Sequence, residues 1–330
     1  RLNWAKAFDI NGDGTKDVLN PGADLPSGAN LAIDFASSLE VRLAGSVSGI
    51  AGGAILTAGD ITISGAAEFA FTRQTVDVDT DGNGTADLLN ARLDTIALSV
   101  ANASVAVAGV ATVTVSGELA VAQVSPQGTT AGTYPAVRYT ALKMGNVTVS
   151  ASAVSGSFAL TGTLTIDKLD VNSVVGNFKR LNWAKAFDLD GDSTKDILNP
   201  GTDLPSGANL AINFASSLEV RLAGGVTGTG GAPILTAGDV SISGAAEFAF
   251  TRQTVDVDTD GNGTADLLNA RLDTIALSVA NASVAVTGVA TVTVSGELAV
   301  AQVSPQGTTA GTYPAVRYTA LKMGNVTVSA

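Results

Sequence analysis

An all-β fold of long antiparallel strands, set in tandem sandwich-like or tubular modules, is what the sequence predicts; a β-solenoid is the alternative. Three observations carry the expectation. Apolar and polar residues alternate over long stretches, and no stretch sustains the 3.6-residue period of an amphipathic helix. Only 16 of the 330 residues are aromatic although 45% are hydrophobic, so Val, Ala, Leu and Ile must fill the core.

Along the chain, the first feature is LNWAKAF from Leu2, where Trp4 and Phe8 stand four apart. A single helical turn would put both rings on one side, as a hydrophobic plug beside the following loop. Over 31–47 the odd positions include Leu31, Ile33, Phe35, Leu39, Val41 and Leu43, while the even ones carry Asp34, Ser38, Glu40 and Arg42. One long strand and a hairpin through Ser37 and Ser38 fit that pattern equally well. Ile61, Ile63, Phe69 and Phe71 then alternate with Thr62, Ser64, Glu68 and Thr72, and Val113, Val115, Leu119 and Val121 with Thr112, Thr114, Ser116 and Glu118. These read as half-buried strands of an antiparallel sheet. The phase of alternation reverses near Ala101 and again near Val154, which predicts a turn or a bulge at each. The nearly uncharged stretch 103–115 is too short and too strand-like for a membrane helix, so no membrane span is expected. Sixteen scattered aromatics do not make the two girdles of an outer-membrane barrel.

The chain repeats itself with a period of 179 residues: RLNWAKAFD at Arg1 returns at Arg180, and TRQTVDVDTDGNGTADLLNARLD at Thr72 returns at Thr251. Only 15 of the 151 overlapping positions differ, and eight of those fall within 46–62, where a loop absorbs change. The expected organisation is a first long β repeat over 1–179 and a second, incomplete copy over 180–330. ITISGAAEFAF from Ile61, VTVSGELAVAQ from Val113 and VSGSFALTGTLTID from Val154 share a texture, which suggests about three strand-rich modules of about 60 residues in each repeat. No charged-then-apolar signal segment follows Arg1, so an interior or processed piece of a longer chain is expected.

Composition excludes much chemistry. With no cysteine and no histidine there is no disulfide, no thiolate zinc site, no imidazole base and no Ser-His-Asp relay. A net charge of −12 without a basic patch argues against nucleic acid as a partner. The acids Glu40, Glu68 and Glu118 lie apart and sugar-stacking aromatics are scarce, so no glycosidase cleft is expected, and no catalytic residues at all. The N-x-[ST] sequons at Asn102, Asn146, Asn281 and Asn325 read as chance in a chain rich in Ser and Thr.

The most specific signal is a nine-residue acidic loop seen four times, D-x-[DN]-x-[DN]-[GS]-x-x-D: DINGDGTKD from Asp9, DTDGNGTAD from Asp79, DLDGDSTKD from Asp188 and DTDGNGTAD from Asp258. Oxygens at positions 1, 3 and 5 of a tight loop converge on one point, the carbonyl of position 7 adds another, and the position 9 carboxylate closes a cage for a hard cation. The expected ligands are Asp9, Asn11, Asp13, Asp17 and the Thr15 carbonyl in the first loop, and Asp79, Asp81, Asn83, Asp87 and the Thr85 carbonyl in the second. The third has Asp188, Asp190, Asp192, Asp196 and Thr194, the fourth Asp258, Asp260, Asn262, Asp266 and Thr264. Gly14, Gly84 and Gly263 hold position 6, where the chain bends sharply; Ser193 stands there in the third loop, whose site is expected to be the weakest. Counting Asp77 and Asp256, the loops contain 15 of the 30 acidic residues, and one Ca²⁺ in each would bring the net charge from −12 to −4.

Position 12, where an EF-hand needs a bidentate glutamate, is Asn20, Asn90, Asn199 and Asn269, so these are not EF-hands. The loop is similar to the short calcium loops of integrin-type propeller blades and thrombospondin type 3 repeats, a likeness limited to about nine residues per site; it implies Ca²⁺ at the matching positions but not those folds. Near-identical long repeats, Thr/Ala/Val strands and calcium loops together resemble the repeat regions of giant bacterial cell-surface and biofilm adhesins. That resemblance implies an extracellular structural segment of a surface fibre or stalk, with neighbouring repeats of the same chain as its partners. Two further readings are a subunit of a self-assembling filament or sheath, pairing through strand edges with other copies, and a module that uses Ca²⁺ to hold a carbohydrate or a partner protein.

Overall fold

The computed structural model describes residues 1–50, 53–58, 61–107, 111–127, 137–155, 158–176, 178–228, 233, 235–237, 239–306 and 316–329. The alternating stretches extend as expected, giving β1 (Leu39–Ser48), β2 (Ala54–Ala58), β3 (Ile61–Val78), β4 (Leu88–Val107), β5 (Ala111–Ser125), β6 (Arg138–Ser155) and β7 (Phe158–Val175) in the first copy. The second copy supplies β8 (Leu218–Thr227), β9 (Leu235–Ala237), β10 (Val240–Val257), β11 (Leu267–Val286), β12 (Ala290–Ser304) and β13 (Tyr318–Ser329). Apart from isolated bridges and the short 3-10 turns Pro21–Asp24 and Pro200–Asp203, the regular structure described is β. The all-β fold of long antiparallel strands is the one expected.

The strands form one open sheet in the order β1-β3-β4-β5-β6-β7-β8-β10-β11-β12-β13, with β2 beside β3 and β9 beside β10 and β7. The two copies are joined within it. β7 of the first pairs with β8 of the second from Thr163↔Thr227 to Val171↔Val220, so they share one hydrogen-bond ladder instead of closing into separate modules. The suggested 60-residue modules do not form either: the similar strings at Ile61 and Val113 become β3 and β5, the two neighbours of β4.

The phase reversal near Ala101 is a β-bulge between Val100 and Ala103, where Asn102 takes φ 52°. Bulges at Ser64/Ala66 in β3 and Ser116/Glu118 in β5 continue it across the sheet. The sequon asparagines Asn102, Asn146, Asn281 and Asn325 all have φ between 51° and 54°, a left-handed conformation that Asn tolerates better than other side chains. The reversal near Val154 falls at the end of β6, beside residues 156–157, which lie outside the described set, as do 108–110 of the uncharged stretch.

Only the second half of 31–47 is strand. Ile33 bridges Leu19 and Trp4 N–H donates to the Phe35 carbonyl, so 31–38 belongs with 1–30 in an irregular layer rather than in a strand or hairpin. LNWAKAF is a turn, closed by Lys6 N–H on the Asn3 carbonyl, with the Trp4 and Phe8 rings 5.6 Å apart.

The equivalent layer of the second copy, 180–217, builds the core. It lies on one face of the first copy's sheet, where strand pairing lines up Leu93, Val124 and Tyr139 in one row and Thr95, Ala122 and Ala141 in the next. Small side chains leave room there for Trp183, Phe187, Leu210, Ile212 and Phe214, all fully or almost fully buried. Burying each contributes about 1.5–3 kcal/mol. The plug read from the Trp/Phe spacing thus exists, but it sits on the preceding repeat.

Polar anchors fix this layer. Buried Asn172 donates from Nδ2 to the carbonyls of Leu181 and Ala215 and accepts from Trp183 Nε1 at 3.0 Å. Buried Asp170 pairs with Lys143 at 3.5 Å and with Arg221 at 2.5 Å. Thr72 Oγ1 donates to Asp203 at 2.8 Å, and Glu68 accepts from Ser206 N at 2.9 Å and Oγ at 2.5 Å. β8 also needs Gly224, since a Cβ there would overlap the Thr165 carbonyl oxygen of β7.

Candidate metal centre

All four acidic loops fold the same way. The position 1 carboxylate accepts from the amides of positions 4 and 6: Asp9 from Gly12 and Gly14, Asp79 from Gly82 and Gly84, Asp188 from Gly191 and Ser193, Asp258 from Gly261 and Gly263. The position 9 carboxylate reaches back to the amide of position 2, Asp17 to Ile10, Asp87 to Thr80, Asp196 to Leu189 and Asp266 to Thr259, at 2.6–2.8 Å. The position 9 amide donates to the carbonyl before position 1, that of Phe8, Val78, Phe187 and Val257, which closes the loop on itself. Asp and Asn at alternate positions therefore serve first as acceptors that bend the chain.

That bending gathers carboxylates. In three loops the side chains of positions 1, 3 and 9 converge: Asp79, Asp81 and Asp87; Asp188, Asp190 and Asp196; Asp258, Asp260 and Asp266, each group with an oxygen per residue within 4.8 Å of the others. Oxygens on opposite sides of a calcium at 2.3–2.6 Å are about 5 Å apart at most, so the donor set fits one Ca²⁺. Position 3 of the first loop is Asn11, which leaves Asp9 and Asp17 without the middle carboxylate.

At position 5 the Oδ1 atoms of Asp13, Asn83, Asp192 and Asn262 accept from the amides of Thr15, Thr85, Thr194 and Thr264 at 2.7–2.8 Å, and Asp192 is not one of the three carboxylates that converge in its loop. Asn83 and Asn262 also donate from Nδ2 to Asp81 and Asp260. Asn at position 12 has its own local partners or conformation. Asn20 and Asn199 accept from the amides of Leu31 and Leu210, and Asn90 and Asn269 take φ 53° and 54° while their amides donate to Asp77 and Asp256.

Several of these acids are held below the ordinary carboxylate range. For Asp192 and Asp13 the hydroxyl and then the amide of the following threonine are responsible; for Asp258 the Gly263 amide leads. Asp79 is a balance: burial pushes it up, and the amides of Gly84 and Gly82, Lys195 and the amide of Asn83 together outweigh that. Lowered folded-state values mean the stability these contacts lend is present above the ordinary carboxylate range and is lost as pH falls through the lowered values. At neutral pH the groups are ionised, the state a cation requires.

Position 6 carries the difference among loops. Gly14, Gly84 and Gly263 have φ of 86°, 95° and 90°, and Ser193 is forced to 70°. A Cβ at the glycines would meet open space, so glycine is needed for its backbone conformation, not for room. Ser193→Gly should raise stability by about 1 kcal/mol and tighten cation binding at the third loop, measured by denaturant melts with and without Ca²⁺.

Comparison with protein-family models, with curated proteins and with solved structures finds no match for this chain.

Proposed function

We propose that this chain is a calcium-stabilised structural segment of an extracellular bacterial surface fibre or adhesin stalk, in which Ca²⁺ stiffens the joint between consecutive repeats. One observation carries the reading: the second and third loops meet at the joint. The Asp79 amide donates to the Ala186 carbonyl at 3.0 Å, and Lys195, inside the third loop, stands 3.8 Å from the Asp79 carboxylate, which is almost fully buried. A cation among Asp79, Asp81 and Asp87 neutralises a group whose Asp79 carboxylate the packed joint removes from water, while Asp81 stays exposed. Millimolar calcium outside cells suits loops of this type.

At free Ca²⁺ about ten times the dissociation constant, each site contributes about 1.4 kcal/mol. The three loops with converging carboxylates then raise the melting temperature of a chain of this size by about 4 to 8 °C. Melting and limited proteolysis in Ca²⁺ and in chelator test this. Superimposable curves and equal protease resistance would rule the calcium role out.

A further inference from the structure

The layer 180–217 and the layer 1–38 have nearly the same sequence and opposite surroundings. Leu210 is 1% exposed and its counterpart Leu31 55%; Phe214 is 2% exposed and Phe35 44%. The faces that receive such a layer show the same contrast. Tyr139 is 2% exposed under 180–217, whereas its counterpart Tyr318 on β13 is 44% exposed, and Ala276, Ala299 and Ala320 are uncovered where Ala97, Ala120 and Ala141 are buried. Around Thr251, Thr274, Ala299, Ala301 and Ala320 runs an open groove of ≈ 330 Å³, lined mainly by apolar atoms. Residues 1–38 and the β10–β13 face are thus an uncovered plug and an uncovered seat, close in sequence to the halves of the internal junction except for β7, whose Asn172 and Asp170 have no counterpart on β10–β13.

Three of the polar contacts have partners in place as well. The internal contacts Thr72 to Asp203, Glu68 to Ser206 and Asp79 to Lys195 have as counterparts Thr251 with Asp24, Glu247 with Ser27 and Asp258 with Lys16. We infer that residues 1–38 of one copy dock on the β10–β13 face of a second copy, repeating between molecules the junction that 180–217 makes within one. The contact is heterologous, so it propagates into an open-ended chain of molecules rather than closing as a two-fold dimer. It deepens the reading of the repeats as fibre segments and rests on that reading for its setting only, since none of these contacts requires calcium. The proposed docking uses the layer-to-sheet contacts; the β7–β8 strand pairing of the internal junction is not part of it.

Sedimentation of the chain from about 1 µM to about 500 µM tests the inference. The weight-average mass should rise above 32.8 kDa with concentration, and a chain extended after Ala330 by a copy of residues 152–179, which adds a counterpart of β7, should associate about tenfold more tightly or better. A plug-blocked variant (Leu31→Asp with Phe35→Asp) and a seat-blocked variant (Ala299→Arg with Ala320→Arg) should each be monomeric. Mixed, they should form dimers and stop there. All four positions are exposed in the single chain and leave Leu210, Phe214, Ala120 and Ala141 intact, so the fold persists, checked by circular dichroism. Monomers at every concentration for both the chain and its extended form would overturn the inference, as would undiminished association of the plug-blocked variant alone. A melting shift with Ca²⁺ in a purely monomeric chain would leave the calcium reading standing while removing this one.

Discussion

Trp183→Ala should destabilise the protein by about 3–5 kcal/mol, whereas Trp4→Ala, the same substitution in the other copy, should cost about 1 kcal/mol or less. The local sequences around the two residues are nearly identical, so neither propensity nor composition separates them. Surroundings do. Trp183 is fully buried, 5.8 Å from the Phe187 ring, and donates Nε1–H to Asn172; Trp4 is only half-buried, 5.6 Å from the Phe8 ring. Removing the buried indole leaves a cavity between 180–217 and the first copy's sheet. Urea denaturation of the two variants measures the difference, and equal costs would mean that the layer is not seated on that sheet.

Asn172→Ala should cost about 3 kcal/mol although the side chain is small. Its Nδ2 and Oδ1 atoms serve the Leu181 carbonyl, the Ala215 carbonyl and the Trp183 Nε1–H inside the core, and alanine leaves all three without their partner. A buried group stripped of its hydrogen bond loses about 1–3 kcal/mol, and relaxation of the three neighbours keeps the sum below the simple total. Tryptophan emission follows the result directly, because Trp183 is one of only two tryptophans and should move toward solvent as the layer loosens.

Strands and acidic loops were legible in the sequence because both are local patterns. Alternation reports the strand period, and a spacing of two between oxygen-bearing side chains reports the loop. The bulge at Asn102 was legible as a phase reversal, but the reason for Asn at the four sequons was not, since a positive φ leaves no mark in a single sequence beyond the Asn itself. The division of labour within the loop was equally hidden. Positions 1, 3 and 9 gather carboxylates while position 5 turns to the threonine amide, and both arrangements use the same residue types. The largest gap concerned 31–38, where Leu31, Ile33 and Phe35 alternate as a strand would. They are extended without a ladder because their apolar face is made for another repeat's sheet, as Leu210, Ile212 and Phe214 demonstrate. A contact between residues 74 to 138 positions apart, such as Arg180 with Thr254 or Glu68 with Ser206, has no periodic signature from which to be read.

The central claim is that calcium acts at the joint between repeats, and hydrogen exchange of the intact chain in Ca²⁺ and in chelator addresses it most directly. Amides of 79–87 and 180–196 should gain protection together when calcium is added, because the two loops are bonded to each other through Asp79, Ala186 and Lys195. Amides of 9–17 and 258–266, whose junction partners are not in the same molecule, should gain less in dilute monomer. Equal protection in all four loops, or none in any, would contradict the account.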